Sequence, residues 1–339
     1  MKNIKRGLDA REKALDALKE KKSGVLKEGI VWADTAVLQE MITTADGGTA
    51  FVEKVTYEAY DGRESVALLY NDIYSVTVDR SLPELLTIKT MGPGQVVFLE
   101  HLEGEEVKFG TLKGGSEVIV RIKTYSAGLQ VTEDMVEYNQ LYAVADMARD
   151  MGEAFNKLLN HIHLYPIISG TYVTTAGGLK AQKKTQKAGT AQLVAWSTDL
   201  KTTLSNALAV LPFSDFKVLV ASVDMIPTMD AINAMVNTDG SASEVKRVFT
   251  ADKFIAYDGE EFEVGAKSYS YDGVPEGFMF IVSTAKRNFR NYTKHDLIID
   301  ADNADLSRLI EEQNVGRARM GVVAKLGGTF GAVKVDIKA

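Results

Sequence analysis

The sequence predicts an α+β fold, and three patterns carry that prediction. Apolar residues recur at gaps of three and four between Glu133 and Ile162, a stretch without proline, as in an amphipathic helix. Residues Glu117 to Tyr125 alternate between apolar and charged, as in a half-buried strand. Helix and strand patterns alternate between Ala191 and Asp300. We therefore expect a long helical spine, an extended hairpin and a second, α/β lobe.

The composition sets limits on function. The chain has 339 residues, of which 45% are hydrophobic, so a sizeable core is possible. Its 39 basic and 46 acidic residues give a net charge of −7, which does not indicate a protein whose surface as a whole attracts nucleic acid. There is no cysteine, which excludes disulfides and thiolate sites. The sequence shows neither a signal-peptide core nor a membrane-length apolar run, so we expect synthesis in the cytoplasm.

Residues 1–93 are interpreted as an N-terminal arm and an extended segment. Arg11 to Lys22 is predicted to be a helix with few apolar residues. It is either a solvated tail or an arm that becomes ordered only against a partner subunit or faces a polyanion. Val37 to Ile42 gives a short helical signal, and Thr49 to Tyr57 alternates as a strand would. Ser81-Leu82-Pro83 interrupts the chain before Leu85 to Ile88.

Residues 94–127 are interpreted as an extended β-hairpin loop. Val96 to Leu99 would be the outgoing strand, and the Gly114-Gly115 pair allows the chain to turn before the returning strand. We predict that the apolar side of that strand covers a neighbouring subunit and that the charged side sets the register. The candidate contact residues are Glu103, Glu105, Glu106, Lys108, Lys113, Val118, Val120, Arg121 and Ile122.

Residues 128–190 are interpreted as a first lobe that contains a long helix, the spine helix. Thr132 is the expected N-cap and Pro166 the expected end, and thirty helical residues would span about 45 Å. The stripe packs either within its own domain or against another subunit. Its members are Leu141, Val144, Ala148, Met151, Phe155, Leu158 and Ile162. Gly170 to Gln192 is predicted to be an exposed loop, rich in Gly, Thr, Lys and Gln.

Residues 191–300 form a predicted second lobe, and residues 301–339 return as C-terminal strands to the first lobe and the sheet. The predicted helices are Trp196 to Leu211, Val223 to Val236 and Asp305 to Glu312. The predicted strands are Phe216 to Ala221, Phe249 to Tyr257, Glu260 to Gly265, Phe278 to Val282, Arg319 to Leu326 and Ala332 to Ile337.

No pattern predicts a catalytic or metal site. His161 and His163 are two residues apart and would point to different helix faces. The acidic run from Asp300 to Asp305 lacks the glycine of a calcium loop and is better interpreted as a solvated helix-capping loop. Four lysines between Lys180 and Lys187 fit a solvated loop better than a nucleic-acid groove. Phosphate-binding and nucleophile-elbow motifs are missing, so we expect no enzymatic activity and no cofactor.

The order of these elements resembles that of the major capsid proteins of tailed bacteriophages with the Hong Kong 97-type (HK97-like) fold. The residues that carry the resemblance are Ser81 to Leu86, Thr124 to Asp134, Arg317 to Val322 and Phe330 to Val335. The resemblance covers essentially the whole chain, and its motifs are loose patterns.

The resemblance implies a structural protein that self-assembles, through pentamers and hexamers, into an icosahedral shell around double-stranded DNA. It implies that the loop from Gln95 to Tyr125 lies over an adjacent subunit. It also implies that residues 128–190, with the spine helix, are the peripheral lobe, that residues 191–300 are the axial lobe, and that residues 301–339 return to the peripheral lobe. Further expected partners are scaffolding, portal and decoration proteins, with only non-specific DNA contact and no membrane. Lys108 and Lys113 lie on the loop that some members cross-link to an asparagine, but no partner asparagine is identified. The expected location is the virion, after assembly in the host bacterial cytoplasm.

Three other classes stay open from sequence. The nearest is an encapsulin-type shell protein of a bacterial compartment that holds enzyme cargo; the strongly charged segment Lys2 to Lys22 does not favour a cargo-docking groove. An enzyme is opposed by the lack of a convergent set of catalytic residues. A scaffold or decoration protein is opposed by chain length and mixed secondary structure.

Overall fold

The spine helix is the longest helix among the described residues, and its buried side chains belong to a core that also includes side chains of both larger sheets. The structure is a computed structural model that describes residues 10–16, 18–19, 45–89, 117–211, 217–228, 253–264, 267–283, 288–302 and 310–337. The helices are α1 (residues 10–16 and 18–19), α2 (Ala45–Ser65), α3 (Glu133–Glu137), α4 (Leu141–Ile168), α5 (Gly178–Ala188) and α6 (Leu200–Val210).

Thirteen strands are described, in four sheets. They are β1 (Ser75–Val78), β2 (Leu85–Lys89), β3 (Glu117–Arg121), β4 (Lys123–Thr132), β5 (Gln192–Val194), β6 (Lys217–Ala221), β7 (Lys253–Ala256), β8 (Gly259–Val264), β9 (Lys267–Asp272), β10 (Phe278–Ser283), β11 (Phe289–Asp302), β12 (Ile310–Ala324) and β13 (Ala332–Asp336). The sheets run β1-β11-β12-β4, β5-β13-β10-β6-β7, β2-β3 and β8-β9. The α+β class is thereby confirmed.

The predicted spine is broken near its start. Thr132 caps α3 by accepting a hydrogen bond from the Met135 amide at 3.4 Å, as expected. The helix then ends after one turn because Asn139 adopts φ 49°, a left-handed conformation that asparagine tolerates better than most residues. The spine proper, α4, begins at Leu141 and continues to Ile168. Pro166 lies inside its last turn, so the prediction that proline ends the helix is wrong by two residues.

Residues Thr49 to Tyr57 are helical, so the strand predicted there is wrong. They belong to α2, in which Phe51, Val55 and Ala59 are fully buried at intervals of four. Residues four apart lie on one face of a helix. A strand was predicted because Tyr57 was assigned to the same face as Phe51 and Val55.

Helices α2 and α4 approach each other so closely that backbone meets backbone. A Cβ on Gly152 of α4 would lie 1.8 Å from the carbonyl oxygen of Ala59, and one on Gly62 of α2 would lie 2.2 Å from that of Arg149. Beside this contact, the buried carboxylate of Glu58 is paired with Lys54 at 2.5 Å and Arg149 at 2.8 Å. Small residues are therefore required on both helices at the crossing.

The five-stranded sheet is buried on both faces. Along β6 and β10, Val218, Val220, Phe280 and Val282 face the core shared with α4, whereas Leu219 and Met279 face the opposite core. That second core includes Leu204 and Ala207 of α6. The predicted strand at 216–221 is confirmed over 217–221 as buried, and the predicted helix from Trp196 begins at Leu200.

The predicted lobe boundaries stay a prediction, and the sheet topology shows which strands pair across them. Strand β11 pairs antiparallel with β12, which pairs with β4, so residues 289–300 lie in the same sheet as the start of the peripheral segment. Strand β13 instead pairs with β10 inside the five-stranded sheet. Strand β11 crosses the predicted boundary at residue 300, because its pairing with β12 continues to Asp302.

The described part of the N-terminal helix packs on its own chain. Ala10, Ala14 and Leu18 are buried, and the Arg11 guanidinium donates to the Tyr60 hydroxyl at 2.7 Å and to Asp296 at 3.1 Å. Neither predicted alternative, a solvated tail or an arm ordered only by a partner, fits these contacts. The helical signal at Val37 to Ile42 lies outside the described residues.

Three further local predictions change. The predicted loop from Gly170 contains α5, whose buried Gln186 donates to the carbonyls of Leu326 and Ala332 at 3.1 and 3.3 Å. Asp300 lies within strand β11 and pairs with Arg317, so this part of the acidic run is not a solvated loop. Residues 310–312 are strand, where the helix Asp305 to Glu312 was predicted. Of the predicted helix 223–236, residues 223–228 are described and are helical.

His163 lies in the core between two tyrosines. Its ring stacks on Tyr70 with 3.6 Å between centroids, and its Nδ1–H donates to the Leu159 carbonyl at 2.6 Å. His161 lies on a different face and stacks on Tyr271 at 4.5 Å, as the two-residue spacing predicted. Burial lowers the pKa of His163 to about 4.

Replacing Gly152 by alanine is expected to destabilise the fold by about 1–3 kcal/mol, because the new methyl group would overlap the Ala59 carbonyl. The matched control is Gly128→Ala, where the nearest atom would be 4.0 Å away. Urea denaturation of both variants measures the difference. Equal stabilities would contradict the backbone-to-backbone contact.

His163 is also expected to make stability depend on pH. Its pKa is about 4 in the folded state and about 6.5 in the unfolded chain, so between these values only the unfolded chain binds the proton. The stabilisation is complete above pH 6.5 and is lost as pH falls towards 4, by about 3 kcal/mol. His163→Phe keeps the stack on Tyr70 and removes this component. Parallel pH profiles of unfolding free energy for the two proteins would refute it.

Candidate intersubunit surface

The hairpin predicted from sequence exists, but its described paired part lies earlier in the chain. Strands β2 and β3 are antiparallel, with Leu85 opposite Arg121 and Lys89 opposite Glu117. The paired part thus begins before residue 94 and ends at Arg121, because β4 already belongs to the four-stranded sheet. The predicted outgoing strand at Val96 to Leu99 lies outside the described residues.

One face of this hairpin packs on the body of its own chain. Val120 and Ile122 form a small buried cluster with Leu82 and Tyr292, and Leu86, Ile88 and Val323 pack against it. Val118 is half-buried on the same side. These apolar residues were predicted to cover a neighbouring subunit, but Val120 and Ile122 are already covered within the monomer, with exposures of 3% and 6%.

The other face carries exposed apolar side chains. Ile119 is 69% exposed and Leu85 is 59% exposed. Register places Ile119 opposite Thr87 and Leu85 opposite Arg121, so all four share the outward face, with Ile119 and Leu85 diagonal neighbours. We call Leu85, Thr87, Ile119 and Arg121 the outward hairpin face.

Sequence reasoning missed Ile119 and Leu85 for an identifiable reason. Alternation shows that two faces differ but does not say which face points inward. Ile119 lies on the charged side, between Glu117 and Arg121, and this apolar residue on the polar face was the available signal. Of the other predicted contact residues, Arg121 is exposed and lies 3.6 Å from Glu84. Glu103, Glu105, Glu106, Lys108 and Lys113 lie outside the described residues.

Gly321 allows strand β12 to lie close to the hairpin at its base. The Ile122 amide donates to the Glu84 carbonyl at 2.8 Å, and immediately afterwards the chain pairs with β12 as β4. A Cβ on Gly321 of β12 would lie 2.9 Å from Val120 and 3.0 Å from the Arg121 carbonyl oxygen. The hairpin is thereby held firmly at its base.

A cleft of about 540 Å³ opens at that base, and basic side chains dominate it. Those of Arg121, Lys123, Lys294 and Arg319 line it, with Glu84 as the one acidic member. Lys294 donates to the Leu82 carbonyl at 2.6 Å, which fixes its position. Among the described residues, no carboxylate lies within ion-pair distance of Lys123 or Arg319. We call these four residues the basic cleft.

His295 lies beside the cleft, and neighbouring positive charges affect its pKa. Its pKa is lowered first by burial and then by the charges of Arg319, Lys294, Arg80 and Arg317. Arg319 of β12 lies opposite His295 of β11 on one side and opposite Thr124 of β4 on the other. The arrangement can attract anionic groups; within the described ranges no cluster of His, Cys, Asp or Glu could hold a metal.

The four lysines between residues 180 and 187 also have a defined geometry. They lie on α5 at intervals of three and four, so they form one exposed helical face rather than the predicted loop.

Among the described helices, none combines the length and the apolar character that a membrane span requires.

A family model described as "Phage capsid protein" matches residues 115–292, which is just over half of the chain. No curated protein matches the sequence. Solved structures to which this chain is similar include the virus-like particle from Pyrococcus furiosus, at 12% identity and TM-score 0.48, covering 84% of this chain and 98% of that one. Mycobacterium phage Adephagia matches at 12% identity and TM-score 0.47, covering 80% and 90%. The capsid of Cyanophage P-SCSP1u matches at 11% and 0.49, covering 80% and 88%.

Proposed function

This chain belongs to the phage capsid protein family, and we propose from that premise that it is the major head subunit of a tailed phage. The resemblance noted in the sequence is confirmed at the level of the family by the match over residues 115–292. Because the TM-scores to solved structures lie below 0.5, the sequence match alone establishes membership. The chain is a structural capsid protein.

The proposed function is self-assembly into a closed icosahedral shell that encloses double-stranded DNA. The observation that supports it best is the outward hairpin face, because Leu85 and Ile119 lie exposed on a hairpin whose inner face is buried. Full burial of such side chains is worth about 1.5–3 kcal/mol each, so contact with another subunit would stabilise a complex. Exposed apolar side chains that lie next to each other are typical of association surfaces.

The rest of the proposal follows from the family. Pentamers and hexamers of this chain would build the shell in the host bacterial cytoplasm, with scaffolding, portal and decoration proteins as partners. DNA contact would be non-specific, which agrees with a net charge of −7. An encapsulin-type compartment shell is not favoured, since the family match is to a phage capsid protein. No catalytic role or cofactor is part of the proposal.

Self-assembly is tested directly on the purified protein. Negative-stain electron microscopy and light scattering at increasing concentration are expected to show closed shells of uniform size. A species that stays monomeric throughout the concentration series would contradict the proposal.

Ile119→Asp is expected to reduce the fraction of protein in shells by at least about tenfold, because a charge would replace an apolar contact worth more than about 1.4 kcal/mol. The thermal midpoint of the monomer should change little, since the side chain is 69% exposed. The control is the adjacent Val120→Ala, which is expected to destabilise the fold by about 2 kcal/mol because Val120 is buried. Normal shells from Ile119→Asp would show that the outward hairpin face is not an interface.

A further inference from the structure

The basic cleft concentrates positive charge in a chain that is acidic as a whole. Its lining has four cationic side chains and one carboxylate, that of Glu84, whereas the complete chain carries a net charge of −7. Cations gathered around one cleft repel one another, and an approaching anion relieves that repulsion. The cleft therefore has the electrostatic character of an anion-binding site.

The four-stranded sheet contributes a row of lining side chains from three adjacent strands. Arg319 of β12 lies opposite Thr124 of β4, and on its other side it lies opposite His295, the chain neighbour of Lys294 in β11. Strands in a sheet are about 5 Å apart, so the side chains of Lys294, Arg319 and Thr124 leave the backbone within roughly 10 Å of one another. All three line the cleft, so the sheet presents two cations and one hydroxyl group at a fixed spacing.

The base of the hairpin adds the other two cations. Arg121 ends β3 and Lys123 begins β4. Arg121 lies 3.6 Å from Glu84, but both side chains are well exposed, so this ion pair is weak and leaves the guanidinium able to bind another anion. The Lys294 ammonium donates to the Leu82 carbonyl at 2.6 Å, which positions it beforehand. The cations are thus held at one place by the backbone and need little rearrangement to bind a ligand.

The size and the charge of the cleft indicate a short chain of linked phosphates. Its volume of about 540 Å³ is in the range typical of small-molecule sites. Guanidinium groups bind phosphate oxygens through two parallel hydrogen bonds, and ammonium groups bind them as point charges. Four cations and one carboxylate give the lining a net charge of +3, which several linked phosphates match better than one does. Duplex DNA spreads its phosphates along a rod, so one cleft would meet few of them.

We propose that the basic cleft formed by Arg121, Lys123, Lys294 and Arg319 binds a short polyphosphate, either inorganic or as the phosphate chain of a nucleoside triphosphate. Both sources offer the same chemistry, a compact row of phosphate groups with several negative charges. The site is complete within one chain, so the inference goes beyond the proposed self-assembly and does not depend on it.

Isothermal titration calorimetry of the purified protein with tripolyphosphate, in buffer without divalent cations, tests the proposal. The wild type is expected to bind tripolyphosphate, and orthophosphate at least about tenfold more weakly, because a single phosphate meets fewer cations. The cleft variant, Lys123→Gln with Arg319→Gln, is expected to bind tripolyphosphate at least about tenfold more weakly than the wild type. Its thermal midpoint without ligand should equal that of the wild type, because both side chains are exposed.

Two further variants separate a defined site from general charge and from loss of folding. The matched control, Lys183→Gln with Lys187→Gln on the exposed face of α5, removes the same charge and should bind tripolyphosphate as the wild type does. Arg121→Gln changes the cleft from the side of the hairpin, also at an exposed position, and should weaken binding independently of the cleft variant. An equal loss in the control would show that only net charge matters, which overturns the proposal.

Competition distinguishes the two sources of phosphate. If adenosine triphosphate displaces tripolyphosphate, the site accepts a nucleoside triphosphate; if it does not, the site is one for an inorganic chain, and either result supports the proposal. Failure of the wild type to bind tripolyphosphate at millimolar concentration overturns it, as do undiminished binding by the cleft variant and equally tight binding of orthophosphate. Binding of a labelled DNA duplex that depends on the cleft residues, without binding of tripolyphosphate, overturns it in favour of a nucleic-acid contact.

Discussion

The close approach of α2 to α4 determines where the rest of the chain runs. With glycines at the crossing, the spine side chains just beyond it reach the backbone that follows α2. Asn156 donates to the Val66 carbonyl at 2.9 Å, and Asn160 donates to that of Ala67 and accepts from the Leu69 amide, each at 2.9 Å. These bonds satisfy a stretch of backbone that has no strand partner of its own.

The same path positions the hairpin. From Leu69 the chain continues to Tyr70 and Tyr74, which enclose His163 of the spine, and Tyr74 donates to the His163 carbonyl at 2.7 Å. Strand β1 then pairs in parallel with β11, and the chain turns into β2. Because β11 leads through β12 to β4, the segment before the hairpin and the segment after it are fixed on one sheet. The contacts of the spine helix thus continue through Tyr74 and β1 to the sheet on which the base of the hairpin is fixed.

The elements that could be predicted from sequence are those with a long, unambiguous period. The stripe from Val144 to Phe155 identifies the spine, and the buried strand at 217–221 is recognisable from its continuous apolar run. Helix α2 was missed because its buried positions include Thr56 and Glu58, whose polarity hides the helical stripe. Glu58 can be buried only because Lys54 and Arg149 neutralise it, and Arg149 comes from the spine.

Helix α5 was missed for a related reason. Its inward side is held by the amide of Gln186 rather than by a row of large apolar residues, and its acceptors lie about 140 residues further along the chain. No local pattern carries that information. The sequence does not show which hairpin face packs on its own chain, because alternation does not say which face points inward until Leu82 and Tyr292 are known to cover one side. In each case the missing information is a partner distant in sequence.

The outward hairpin face and the basic cleft offer different kinds of interaction. Leu85 and Ile119 offer a non-directional gain of a few kcal/mol, which tolerates sliding along the strand direction. The charges of the basic cleft add little net stability where they stay solvated. In the proposed assembly, a weak apolar contact can open and re-form, and its repetition around a closed ring multiplies its effect.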